Sequence, residues 1–146
     1  MTESRAHPRW GWDFDWLGVD ADGHVAVFSS GYGAVPLEVN LHVDDVDAAR
    51  YQIDTFPLLG VARDLVRESP RGDYSRTSAL SARGFFNYDW KGYHGPYVRL
   101  SAPSVPLAVT ALPAHIQRVA RLAIFHVRFA DTPEFALDYV EPPFDH

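Results

Sequence analysis

Residues 13–30, DFDWLGVDADGHVAVFSS, constrain this chain more than any other stretch. Phe14 and Trp16 alternate with Asp15 and Leu17, the period-2 pattern of a strand, and residues 24–30 are a second run rich in β-formers. Between them stands Asp20-Ala21-Asp22-Gly23. Asp and Gly accept the positive φ that tight hairpin turns demand, so the two runs predict a β-hairpin. Gly31-Tyr32-Gly33-Ala34-Val35-Pro36 then ends the second strand.

Beyond the hairpin, Asp44, Asp45 and Asp47 offer caps and acids suited to the positive end of a helix dipole. Val46, Ala49, Tyr51 and Ile53 follow as an apolar stripe that stops before Pro57. Leu58, Val61, Ala62, Leu65 and Val66 stand at i, i+3, i+4, i+7 and i+8, which predicts a second helix over 58–68. A loop at 69–73 leads to a short helix or turn over 78–84. Residues 84–89 and 96–102 read as the arms of a second hairpin around the loop 90–95. Pro113 suits a first helical turn, and Leu112, Ile116, Val119, Ala120 and Ala123 carry that helix to about residue 122. IFHVRF at 124–129 alternates like a half-buried strand. The stretches 1–12 and 131–146 are expected to be loosely ordered tails. The order β-β-α-α-β-β-α-β implies an α+β fold: a mainly antiparallel sheet of two hairpins and a C-terminal strand, with about three helices on one face. One domain over residues 1–146 is expected.

The composition narrows the function. The chain has 146 residues, no cysteine and a net charge of −6. Without cysteine there is no disulfide scaffold, thiolate metal site or thiol nucleophile. No apolar run approaches the roughly 20 residues of a membrane span, and MTESRAHPRW lacks an apolar h-region, so a cytoplasmic, membrane-free protein is expected. The acidic total argues against nonspecific nucleic-acid binding. Charge is unevenly placed: residues 1–47 hold nine acids and two bases, 48–128 five acids and eleven bases, and 129–146 five acids and no base. A basic partner would therefore land on the 13–47 region or the C-terminal tail.

No pattern declares a reaction. Asp20-Ala21-Asp22-Gly23 opens like a calcium loop but lacks a third ligand before the glycine and a Glu at the twelfth position, so it reads as a polar turn. His42, Asp44, Asp45 and Asp47 gather an imidazole and three carboxylates, yet metal ligands usually converge from several elements; this is a charged helix start, and no metal or cofactor is assigned. The seven histidines include no HExxH or HxH pair. Ser29, Ser30, Ser75 and Ser101 lack a nucleophile-elbow or phosphate-loop context, so no catalytic residue is assigned. The aromatic loop 88–97 carries Trp90, Tyr93 and His94 among polar residues and glycines. Aromatics with polar tips suit a protein interface, or some of them fold back as core. Partner binding is thus expected at Asp44, Asp45, Asp47, Trp90, Tyr93 and His94.

The block DFDWLGVDADGHVAVFSSGYGAVP, with Gly84-Phe85-Phe86-Asn87-Tyr88-Asp89 and the Leu112-Pro113 helix start, resembles small bacterial immunity-protein-like chains associated with polymorphic toxin systems. The resemblance implies a non-enzymatic inhibitor that occludes a cognate toxin, and it carries over no functional residue. The alternative is a small-ligand-binding protein or enzyme with a pocket near the Gly31–Pro36 exit and the Trp90–Tyr97 loop.

Overall fold

The computed structural model describes residues 14–30, 34–67, 71–91 and 95–135. Strands β1 (Asp15–Val19) and β2 (Val25–Ser29) are followed by helices α1 (Leu37–Leu41) and α2 (Val43–Ile53) and the short strand β3 (Ala62–Arg63). Helix α3 (Ser75–Ala82), strands β4 (Phe86–Trp90) and β5 (Tyr97–Pro103), helix α4 (Ala114–Ala120) and strand β6 (Glu134–Phe135) complete the order. The sheet runs β1-β2-β4-β5-β3, with β6 also paired to β5. All pairs are antiparallel except β2 with β4, which are parallel. This is an α+β fold. No described helix is long and apolar enough to cross a membrane.

The first hairpin forms as its sequence predicts. Gly23 takes φ +80° in the turn, a conformation that costs glycine little, and register pairs Trp16 with Phe28 and Val19 with Val25. Alternation then sorts the side chains onto two faces. One face presents Trp16, Phe28, Phe86, Tyr88, Trp90 and Tyr97. The other presents Leu17, Val19, Val25, Val27, Asn87 and Ser101, and the helices cover it: Asn87 donates to the Thr77 carbonyl of α3, and Asp15 receives Arg76 of α3 at 2.5 Å and faces Arg50 of α2 at 3.8 Å.

The ring face is packed tightly. Trp16 stacks on Phe28 at 4.2 Å, Phe28 on Tyr88 at 5.2 Å, and Tyr97 meets Trp16 edge-on at 5.7 Å. Neighbouring strands sit about 4.8 Å apart, so contact between rings of β1 and β5, which have β2 and β4 between them, requires the sheet to curl around this face. The bulge between Asn87 and Tyr88 assists the bend. Phe125 and Phe129 close the layer from the C-terminal side. Gly18 makes room for them, because a Cβ there would stand 2.7 Å from the Phe125 ring.

Two expected elements are corrected here. Residues 58–68 are not a helix: Leu58, Leu59, Val61 and Val66 are exposed, and the described part runs as a sheet edge at Ala62–Arg63. Ser104 N–H donates to Val61 O and Val66 N–H to Leu100 O, so β5 takes the backbone groups a helix would have paired internally. Nor is 124–129 a strand. Ile124 bridges to Val19, after which the chain turns beneath the rings and Phe129–Asp131 form a 3-10 turn. The first twelve residues and 136–146 lie outside the described residues, whereas 131–135, expected to be loose, end in β6 against Tyr97 and Val98.

Tyr88 gives the layer a pH dependence. Its hydroxyl donates to the Thr132 carbonyl at 2.6 Å, and burial pushes its pKa upward despite the neighbouring Arg99. In the unfolded chain a tyrosine ionises near about 10. The folded form keeps its proton longer, so the stabilisation is full below that pH and is lost as pH rises beyond it. Alkaline unfolding should become shallower in Tyr88→Phe, with about 1 kcal/mol lost at neutral pH from the missing hydrogen bond. An unchanged alkaline slope in denaturant titrations would mean that the hydroxyl is solvated.

Candidate functional site

Helix α2 is built to show two faces. Val46, Ala49 and Ile53, at i, i+3 and i+7, are buried against the sheet. The opposite face carries Asp44, Asp45, Ala48 and Tyr51, all exposed. Tyr51, expected in the buried stripe, is 60% exposed, and Leu41 at the end of α1 is 65% exposed. From Val46 the buried face continues through Ala49 and Ile53, and position 51 falls on the far side of that arc. The Arg50 guanidinium sits 4.6 Å over the Tyr51 ring and holds it in place.

The three aspartates part company in space. Asp44 and Asp45 point outward, while Asp47 is half exposed and lies 3.7 Å from Arg50. Arg50 also faces Asp15, and Arg76 bridges Asp15 and Asp54, so Asp47 stands at the margin of an ion-pair group tying α2 and α3 to β1. A groove of about 380 Å³ opens between α2 and α4. Its floor is Ala49 and Val119, and its rim includes His42, Asp45, His115 and Arg118. His42 Nδ1 donates to the Glu38 carbonyl at 2.9 Å, and His115 Nε2 lies 2.6 Å from Gln52 Oε1. Both rings are thereby oriented on the rim. Asp44, Asp45, Leu41 and Tyr51 are exposed, and the groove beside Asp45 has an apolar floor and a rim that sets one carboxylate among His42, His115 and Arg118.

The aromatic loop divides differently. Tyr88, Trp90 and Tyr97 are core: Trp90 is 7% exposed, meets Tyr97 edge-on at 5.0 Å and leaves room for no side chain at Gly95. That burial corrects the expectation of Trp90 as a surface contact. Tyr93 and His94 lie outside the described residues. At the Gly31–Pro36 exit, Ala34, Val35 and Pro36 are buried and Tyr97 donates its hydroxyl to Ala34 O at 2.7 Å.

The Asp20 turn has a role that its sequence does not display. Asp20, Asp22 and His24 place ligand-type atoms within 4.8 Å of one another. Asp20 Oδ1, however, accepts the N–H groups of Asp22 and His24, and Oδ2 accepts that of Phe129 at 2.8 Å. Asp22 is held by Arg128 Nε at 2.7 Å, and Asp22 raises the Arg128 pKa. The two carboxylates are spent on backbone N–H groups and a guanidinium and clamp the segment beneath the rings, whereas His24 Nδ1 is buried with no hydrogen-bond partner among the described residues. Ser101 is buried against Ser81 at 2.6 Å, Ser29 donates to Asp15 and Ser75 to Asp73, and none hydrogen-bonds a histidine among the described residues.

No family model matches this chain, and no match was found to a curated protein or a solved structure.

Proposed function

We propose that the chain is a non-enzymatic binding protein that docks a basic protein partner on the outer face of α2. The observation that carries this reading is the pairing of exposed Asp44 and Asp45 with the exposed anchors Leu41 and Tyr51. Tyrosine at the centre of an interface supplies large contact area with few rotors, and surrounding charge steers the encounter. The groove beside Asp45 is sized for a single partner side chain seated on Ala49 and Val119. In keeping with the immunity-like resemblance, the partner is a cognate toxin and the mode of action is occlusion. A folded, acidic surface suffices for that task, and no reactive constellation is required.

The test is a pull-down and kinetic analysis with the product of the adjacent gene. Tyr51→Ala is expected to weaken the complex about tenfold or more, with unfolding unchanged because the ring is exposed. Asp44→Lys with Asp45→Lys should slow association at low salt and leave high-salt rates closer together. A complex indifferent to all three substitutions would remove α2 as the binding face, and absence of any complex would overturn the inhibitor reading.

A further inference from the structure

The groove between α2 and α4 has walls of opposite character. His42 and Asp45 stand one turn apart at the start of α2, and Arg118 stands on α4. His42 Nδ1 donates to the Glu38 carbonyl, which leaves Nε2 of the neutral ring as an acceptor. Asp45 and Arg118 form no hydrogen bond or ion pair among the described residues. Their charged neighbours along the chain are spent: Asp47 lies 3.7 Å from Arg50, and Arg121 donates to Gln117 Oε1 at 2.8 Å. Between the walls the floor is aliphatic, with Ala49 and Val119 buried and Leu122 half-buried. His115, held by Gln52 at 2.6 Å, ties the two walls together.

The charges select the occupant. A guanidinium takes a carboxylate in a bidentate pair, whereas the acceptors on the α2 wall suit an ammonium. A purely acidic ligand would face the Asp45 carboxylate, and a purely basic one the Arg118 guanidinium. A ligand that satisfies both walls carries an ammonium, a carboxylate and an apolar body. The volume of about 380 Å³ lies at the low end of the roughly 300–1,000 Å³ of small-molecule sites, so that body is small.

We propose that this groove binds a free α-amino acid with an apolar side chain, a function beyond the docking of a protein on α2. Its ammonium meets Asp45 and His42 Nε2, its carboxylate meets Arg118, and its side chain lies on Ala49, Val119 and Leu122. Asp45 and Arg118 are exposed, and charge pairs in water contribute little, so the affinity is millimolar. The amino acid and a partner side chain share one floor and exclude each other.

Titration of the isotope-labelled full chain with L-leucine and L-phenylalanine, followed by amide NMR shifts, tests the site. At least one is expected to move the Ala49, Val119 and Leu122 signals and to saturate. Isoamylamine and isocaproate, which are leucine without its carboxylate and without its ammonium, should each bind about fivefold more weakly than leucine. Arg118→Gln should raise the leucine dissociation constant by about the same factor and weaken isoamylamine no further. Asp45→Asn should do the same for leucine and spare isocaproate. Circular dichroism confirms that both variants are folded, since both side chains are exposed. No shift with either amino acid up to about 50 mM, well above a millimolar dissociation constant, overturns the proposal. Binding that isoamylamine or isocaproate equals, or that neither substitution weakens, overturns it as well. The titration uses the chain alone, so its failure leaves the α2 face standing, and a missing toxin complex leaves this site standing.

Discussion

Phe28→Ala should lower the unfolding free energy by about 3–5 kcal/mol, a large share of the 5–15 kcal/mol that holds a typical domain together. Phe28 is fully buried at the centre of the ring layer. It stacks on Trp16 and Tyr88 and meets Tyr97 edge-on at 5.4 Å, Phe129 at 5.9 Å and Phe125 at 5.5 Å. Those partners come from β1, β4, β5 and the segment after α4, so truncation opens a cavity that no single element can fill by moving. Beyond the lost transfer energy, each ring contact of this geometry contributes about 0.5–1.5 kcal/mol. Urea unfolding followed by near-ultraviolet circular dichroism reads both the stability and the ring asymmetry. A loss under about 1 kcal/mol would contradict the closed aromatic layer.

Asp20→Ala should cost about 2–4 kcal/mol. The carboxylate is 3% exposed and accepts three backbone N–H groups, two within its own turn and one from Phe129 across the fold. Removing it orphans the buried Phe129 donor and loosens the segment that covers the rings. Asp20→Asn should cost less, because its amide oxygen still serves the two turn donors while its NH₂ opposes Phe129 N–H. Hydrogen exchange at Phe129 is the specific readout, and it should accelerate in both variants. Protection equal to wild type in Asp20→Ala would show that the clamp does not hold that segment.

Much of the fold is legible in short stretches. The 15–29 hairpin follows from alternation and an Asp-Gly turn, the 86–103 hairpin from β-rich arms, and α4 from Pro113 ahead of an apolar stripe. In each case the decisive interactions are local, so residue type and spacing suffice. The same reasoning fails at 58–68. Its apolar spacing is helical, but Gly60 weakens a helix by about 1 kcal/mol, and β5 offers Val61 and Val66 backbone partners at once. The spacing that suggests a buried helical face becomes an exposed apolar edge. At 124–129 the alternation is real, yet Asp20 takes the Phe129 N–H and the rings take Phe125 and Phe129, so the strand ends after one bridge.

The candidate site divides in the same way. Asp44 and Asp45 were legible as an acidic helix start because acids at that end of a helix are favoured wherever the helix lies. Tyr51 was not, since a tyrosine on an amphipathic helix reads equally as core or anchor until the angle of the buried face is known. Trp90 went the other way, drawn inward by a sheet that curls until β1 and β5 rings meet. Turns, caps and hairpins arise from neighbours a few residues apart, and their chemistry is written in the chain. Which aromatic is anchor and which is core, and which edge stays open, depends on contacts between residues up to about a hundred positions apart, such as Asp20 with Phe129. Those contacts compete for the same backbone donors and the same buried volume, and only the assembled fold decides between them.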